Sequence, residues 1–131
     1  MSIVDLLIVL ALSQYIFFTV RVGKARGTYG ISAPATTGNP VFERFYRVQT
    51  NTLEMLIMLI PSTWIASSYW NPIFVAAMIV IYLVGRQIYY ASYIKEPKKR
   101  SLGFFLTVLP IFILLISAAT GALMSLLQTT F

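Results

Sequence analysis

The chain has 131 residues, of which 58% are hydrophobic and only 11% charged, and its formal net charge is +6. Soluble domains carry roughly a quarter of their residues as charges, so this composition makes lipid, rather than water, the solvent for most of the surface. With no Cys and no His, disulfides, a thiolate nucleophile, imidazole base chemistry and the usual zinc ligand sets are excluded, and a reactive group would have to arrive with a substrate.

Four apolar segments follow one another along the chain, at about Ile3 to Val20, Leu53 to Trp70, Ile73 to Tyr93 and Leu102 to Leu127. At 1.5 Å per residue each is long enough for a hydrocarbon core of about 30 Å. The predicted fold class is all-α, an integral membrane four-helix bundle forming a single domain over residues 1–131. The first segment lacks the basic start and small-residue cleavage site of a secretory signal and carries Asp5, which predicts a retained span. All ten basic residues fall in two blocks, Arg21 to Arg47 and Arg86 to Arg100. Short loops bearing Lys and Arg stay cytoplasmic, so both blocks face inward, while the termini and the Asn71-Pro72 turn face outward, an N-out, C-out topology. The lysines have a plain role as topogenic charge and as attraction to anionic headgroups, and nothing points to nucleic acid or a metal.

The stretch from Val22 to Asn39 holds four of the seven glycines plus Pro34 and predicts irregular backbone. Asn39 before Pro40 is a strong helix start, a capping side chain ahead of a proline at the first helical position, and Glu43 suits the first turn. A helix from Pro40 to Trp70 would be about 46 Å long, about 16 Å more than the hydrocarbon requires, so its beginning projects into the cytosol. On it Arg47, Asn51 and Glu54 are spaced i, i+4, i+7 and share one face, with Gln49 on a neighbouring strip. Counting back from Trp70 puts Glu54 about 6 Å inside the membrane. On the third helix Arg86, Tyr89 and Tyr93 repeat the pattern as i, i+3, i+7. Counting from Ile73 sets Arg86 about 10 Å inside on an antiparallel neighbour.

Ionisable groups within a span cost about 2.5 to 3.5 kcal/mol each on insertion scales and face a bundle interior or a wet cavity. The two stripes therefore face each other or a common ligand. One reading pairs Glu54 with Arg86 to lock two helices, with Asn51 and Gln49 as hydrogen-bond glue. The other notes that two arginines, two amides, a carboxylate and two phenols in one layer exceed what a structural pair needs. Such a set suits a small zwitterion, with arginines on its carboxylates and Glu54 on its ammonium group.

Val22-Gly-Lys-Ala-Arg26, Pro34 to Gly38, Phe42-Glu-Arg-Phe-Tyr-Arg-Val-Gln-Thr-Asn51, Glu54, Gly85-Arg-Gln-Ile-Tyr89, Tyr93 and Lys98-Lys-Arg-Ser-Leu-Gly-Phe104 resemble the MAPEG family of membrane glutathione-dependent proteins. Within it the chain resembles microsomal glutathione transferases of the second and third types and leukotriene-forming synthases. The resemblance implies a homotrimer of four-helix subunits that takes glutathione as co-substrate, without a metal, at sites between neighbouring subunits open to the inner face and the lipid. It assigns Arg47, Asn51, Glu54 and Tyr89 to glutathione binding in one subunit, with Arg86 and Tyr93 nearby, and Arg26 and Gln49 reaching in from the neighbour. It matches Arg100 to the arginine that stabilises the glutathione thiolate in transferase members. Read without the resemblance, Arg100 is a topogenic loop residue.

The implied activity is conjugation of glutathione to hydrophobic electrophiles, together with reduction of lipid hydroperoxides. The site would face the cytosol, in a bacterial inner membrane or an endoplasmic-reticulum-type membrane. Met55, Gly27 and Ser92 depart from the family pattern, at positions where many relatives carry an aromatic, a second bulky or basic residue, and a glycine. A leukotriene-forming specificity is therefore not expected. The alternative within the family is a non-catalytic lipid-binding scaffold like the lipoxygenase-activating protein, which lacks the arginine matched by Arg100. A pore is disfavoured because the polar residues cluster in one leaflet. Pro61 and Pro110 predict kinks. The aromatics Tyr15, Phe17, Phe18, Trp64, Tyr69, Trp70, Phe104 and Phe105 could line a groove for an acyl chain, although lipid-facing packing and interfacial anchoring account for most of them. Ser117, Ala118, Ala119, Gly121 and Ala122 predict close helix approach.

Overall fold

A computed structural model describes residues 2–130, leaving Met1 and Phe131 outside. Four helices run in sequence, α1 (Ser2–Tyr29), α2 (Pro40–Ser67), α3 (Pro72–Lys95) and α4 (Ser101–Thr130), with a single 3-10 turn, Pro97–Lys99, ahead of α4. Three stretches, Ile3–Tyr29, Pro72–Lys95 and Pro97–Thr130, are long and apolar enough to cross a membrane. The segment in α2 is not among them, although α2 has the same 28-residue length as α1. Asn51, Thr52, Glu54, Ser62 and Thr63 dilute its hydropathy. Four of these five polar residues are buried inside the bundle, whereas Leu53, Ile57, Met58, Trp64 and Ile65 form its exposed side.

The expected helix start is confirmed. Asn39 Oδ1 accepts from Val41 N at 2.9 Å and Phe42 N at 3.1 Å, satisfying two otherwise orphaned donors, with Pro40 at the first helical position. Asn71 caps α3 in the same manner, accepting from Ile73 N at 2.8 Å. Both helices with internal prolines, α2 with Pro61 and α4 with Pro110, continue past them.

The irregular stretch expected from Val22 is shorter than the glycines suggest, because α1 continues to Tyr29. A glycine in a helix costs about 1 kcal/mol relative to alanine. That cost is offset here by burying Val22 and Ala25 against Phe42 and Phe45 at about 25 cal/mol per Å² of apolar surface. Only Gly30 stops the helix: its φ of +70° is left-handed, and Ile31 N closes back on Arg26 O at 3.1 Å, the Schellman pattern.

Consecutive helices are antiparallel, so the C-terminal ends of α1 and α3 and the N-terminal ends of α2 and α4 meet at one end. Arg21 Nε donates to the Tyr90 hydroxyl at 2.9 Å there, and Arg44 Nη1 donates to the Ile94 carbonyl at 2.9 Å. All ten basic residues lie toward this end. The main core, built from Val4, Ile8, Leu56, Leu59, Ile79, Tyr82, Ile111 and Leu114, fills the remainder of the bundle. Glycines set the tightest approach, between α3 and α4: a Cβ on Gly85 would stand 2.7 Å from the Leu106 carbonyl carbon, and one on Gly103 would overlap the Tyr89 backbone. The predicted small-residue contact also holds, since Gly121 packs flat on Tyr69 and Ala118 is buried.

Candidate functional site

Because Gly103 admits Tyr89 so closely, the first turn of α4 leans on the last turns of α3. A cleft of about 520 Å³ opens between them and α2, within the size range of small-ligand sites. Arg47 and Asn51 of α2, Tyr89 and Tyr93 of α3, and Arg100, Ser101 and Phe104 around the start of α4 line it. Tyr89 and Tyr93 stack at 5.3 Å between ring centroids, forming one aromatic wall. Arg100 is exposed and anchored by one bond, Nη1 to the Pro97 carbonyl at 3.0 Å, which leaves most of its five donors free to face the cleft.

The two polar stripes do meet, through Asn51. Its Oδ1 accepts from Arg86 Nη1 at 2.8 Å, and its Nδ2 donates to Glu54 Oε2 at 3.3 Å. Glu54 Oε1 in turn lies 3.5 Å from Arg47 Nη1, both side chains being about half exposed. Glu54 thus pairs with Arg47 on its own helix, one of the two ion pairs among the described residues. An exposed pair of this kind contributes only about 0 to 1 kcal/mol, so either partner can be drawn to a ligand at little expense.

Arg86 is fully buried and does not line the cleft. Its Nε donates to Thr107 Oγ1 at 2.8 Å, and Nη1 also reaches Thr52 Oγ1 at 3.3 Å. The guanidinium carbon lies 4.1 Å from the Tyr89 ring centroid, a cation–π contact made stronger by burial. Arg86 Nη2 has no partner among the described residues. Arg86 therefore ties three helices together directly behind Asn51 and Tyr89 and holds both in place. Thr52 and Thr107, its hydroxyl partners, were not singled out from the sequence. For Thr107 the only signal is an isolated hydroxyl in an otherwise apolar stretch, whereas Thr52 stands among the polar residues Gln49, Thr50 and Asn51 and nothing sets it apart.

Two predicted site residues lie away from this cleft. Arg26 Nη1 donates to the Ala35 carbonyl at 2.7 Å while its guanidinium packs over Phe42, 5.0 Å from the ring centroid, tying the α1–α2 loop to the start of α2. Gln49 Nε2 donates to Thr19 Oγ1 at 3.2 Å. Both belong to the α1–α2 side of the subunit. Of the departures from the family pattern, Met55 is buried in the main core, Gly27 has open space around it, and Ser92 is half-buried. No group of His, Cys, Asp or Glu able to hold a metal occurs among the described residues.

Long apolar helices with a cationic, aromatic cleft at the end that gathers every basic residue define a helical membrane protein. The chain belongs to the MAPEG family, whose model matches residues 4–120. It is 41% identical over 123 residues to an uncharacterized protein of Synechocystis sp., covering 94% of this chain and 90% of that one. It is 36% identical over 120 residues to the human microsomal glutathione S-transferase 2, covering 92% and 82%. Leukotriene C4 synthase of Bos taurus is 30% identical over 107 residues, covering 82% of this chain and 71% of its own.

Proposed function

We propose that this protein is a membrane glutathione transferase that joins glutathione to hydrophobic electrophiles and also reduces lipid hydroperoxides. The observation that carries the reading is that Arg47, Asn51, Tyr89, Tyr93 and Arg100, from three separate parts of the chain, line one cleft. Glu54 stands beside Arg47 and Asn51 at its edge. Arg47 would take a glutathione carboxylate, Glu54 its ammonium group, and Asn51 and the tyrosine hydroxyls its peptide groups. Arg86 acts through Asn51 and Tyr89 rather than on the ligand. Arg26 and Gln49 would serve a neighbouring subunit's site in a homotrimer, which agrees with their absence from this subunit's own cleft.

Arg100 would stabilise the thiolate. A free thiol has a pKa of about 8.5, so moving it down by two units needs about 2.7 kcal/mol of preferential stabilisation. One charge-assisted hydrogen bond contributes about 1.5 to 3 kcal/mol. Guanidinium stays protonated at neutral pH, so it holds the anion while the proton leaves through water. The thiolate then attacks an electrophilic carbon and displaces its leaving group, or attacks the terminal peroxide oxygen. The second route breaks the O–O bond to give glutathione sulfenic acid and the lipid alkoxide, which takes a proton to become the alcohol. A second glutathione thiol then converts the sulfenic acid to glutathione disulfide and water. The lipid-soluble partner arrives along the apolar helix faces. Arg100 in the cleft wall favours catalysis over the scaffold alternative.

In this reading α2 crosses as the fourth span, because its buried polar residues face helices and its outer side is apolar. The bundle lies N-out and C-out with the cleft toward the cytosol, in a bacterial inner membrane or an endoplasmic-reticulum-type membrane. Titration calorimetry of the detergent-purified protein with glutathione is the test. Saturable heat is expected, and its absence would reduce the cluster to an interhelical tie.

A further inference from the structure

We infer a second binding site, for the headgroup of an anionic phospholipid, on the outer side of α1 at the basic end. Arg21, Lys24, Thr28, Tyr29 and Phe45 line a hollow of about 180 Å³ there. Arg21, Lys24 and Thr28 recur at i, i+3 and i+7 and so share one helix face. Arg21 is held from behind: its Nε donates to the Tyr90 hydroxyl at 2.9 Å, and its guanidinium packs over Phe45 at 5.4 Å from the centroid. Its Nη1 and Nη2 make no hydrogen bond among the described residues. The ion pairs found among these residues, Arg47–Glu54 and Lys99–Glu96, leave Arg21 and Lys24 without a carboxylate. Arg21 is thus a pre-positioned fork with an adjacent exposed ammonium, a donor set that matches a phosphodiester.

The same face decides the source of the phosphate. One turn toward the membrane from Arg21 stands Phe17, followed by Leu10 and Leu6, all exposed, with Val20 beside them. A headgroup in the hollow would lay its acyl chains along this ridge, which a soluble phosphate has no use for. Lys98 and Lys99, equally basic, sit on the 3-10 turn with no aromatic support and, for Lys99, with Glu96 at 3.1 Å. The inference does not rest on glutathione binding at the cleft.

The test is native mass spectrometry of the detergent-purified full chain, mixed with equal amounts of phosphatidylglycerol and phosphatidylcholine of the same acyl composition. Two basic groups at a membrane surface predict a preference for phosphatidylglycerol of roughly tenfold or more. Arg21→Gln with Lys24→Gln should bring it below about twofold, while Lys98→Gln with Lys99→Gln keeps it. Lys24→Gln alone, at an exposed position, should lose part of the preference and serves if the double variant does not fold. Equal preference in wild type and R21Q/K24Q, or equal loss in K98Q/K99Q, would overturn the site. Displacement of the lipid by millimolar glycerol 3-phosphate would overturn the lipid assignment and leave a soluble phosphate as the ligand.

Discussion

The bundle carries a cleft at each end, and the two are built by the same packing device. At the basic end Gly103 lets α4 close on Tyr89, and the 520 Å³ cleft opens beside that contact. At the far end Gly121 lets α4 close on Tyr69, and a hollow of about 280 Å³ opens among Tyr69, Trp70, Gly121, Met124, Ser125 and Gln128. Trp70 Nε1 even donates to the Ser117 carbonyl at 2.7 Å, an interhelical tie comparable in length to Arg86–Asn51. Glycine-to-aromatic packing therefore makes concavities wherever it occurs in this chain. What separates the ends is charge: the first cleft has two guanidiniums and an adjacent carboxylate, the second has no charged side chain. The proposed recognition of a small zwitterion rests on that difference, not on shape.

Substitutions can break the contrast in order of size. Arg100→Ala should lower kcat for conjugation about a hundredfold, the kinetic equivalent of about 2.7 kcal/mol of thiolate stabilisation, with glutathione affinity largely kept. Arg47→Ala or Glu54→Gln should instead weaken glutathione binding in calorimetry by about ten- to a hundredfold, since each removes a charge-assisted bond of about 1.5 to 3 kcal/mol. Arg86→Lys should weaken it by about tenfold while also lowering thermal stability. A single ammonium cannot reach Thr107, Asn51 and Thr52 together and still lie flat under Tyr89. Gly103→Ala should destabilise the fold by about 1 to 3 kcal/mol through overpacking, read as a lower unfolding temperature in detergent. Gln128→Ala, in the uncharged far hollow, should leave both glutathione affinity and turnover unchanged.

Helix number and the two polar stripes were legible in the sequence because each rests on local periodicity and caps. Asn39 and Pro40 mark a start that the structure confirms, and the i, i+4, i+7 spacing put Arg47, Asn51 and Glu54 on one face. The end of α1 was not legible. Gly23 and Gly27 look like breakers, and only burial of Val22 and Ala25 against a helix twenty residues further along overrides them. Nor could spacing tell that Arg86 turns to Thr52, Asn51 and Thr107 while Glu54 turns to Arg47. Those choices depend on the depth to which Gly85 and Gly103 let α3 and α4 sink together, which no single helix records.

Ionisation of glutathione by Arg100 is the central claim, and it has an optical signature. Purified protein saturated with glutathione at neutral pH should develop thiolate absorbance in the near ultraviolet, and the Arg100→Ala variant, still saturated, should lose it. The same absorbance in both proteins, with turnover undiminished in the variant, would contradict the account.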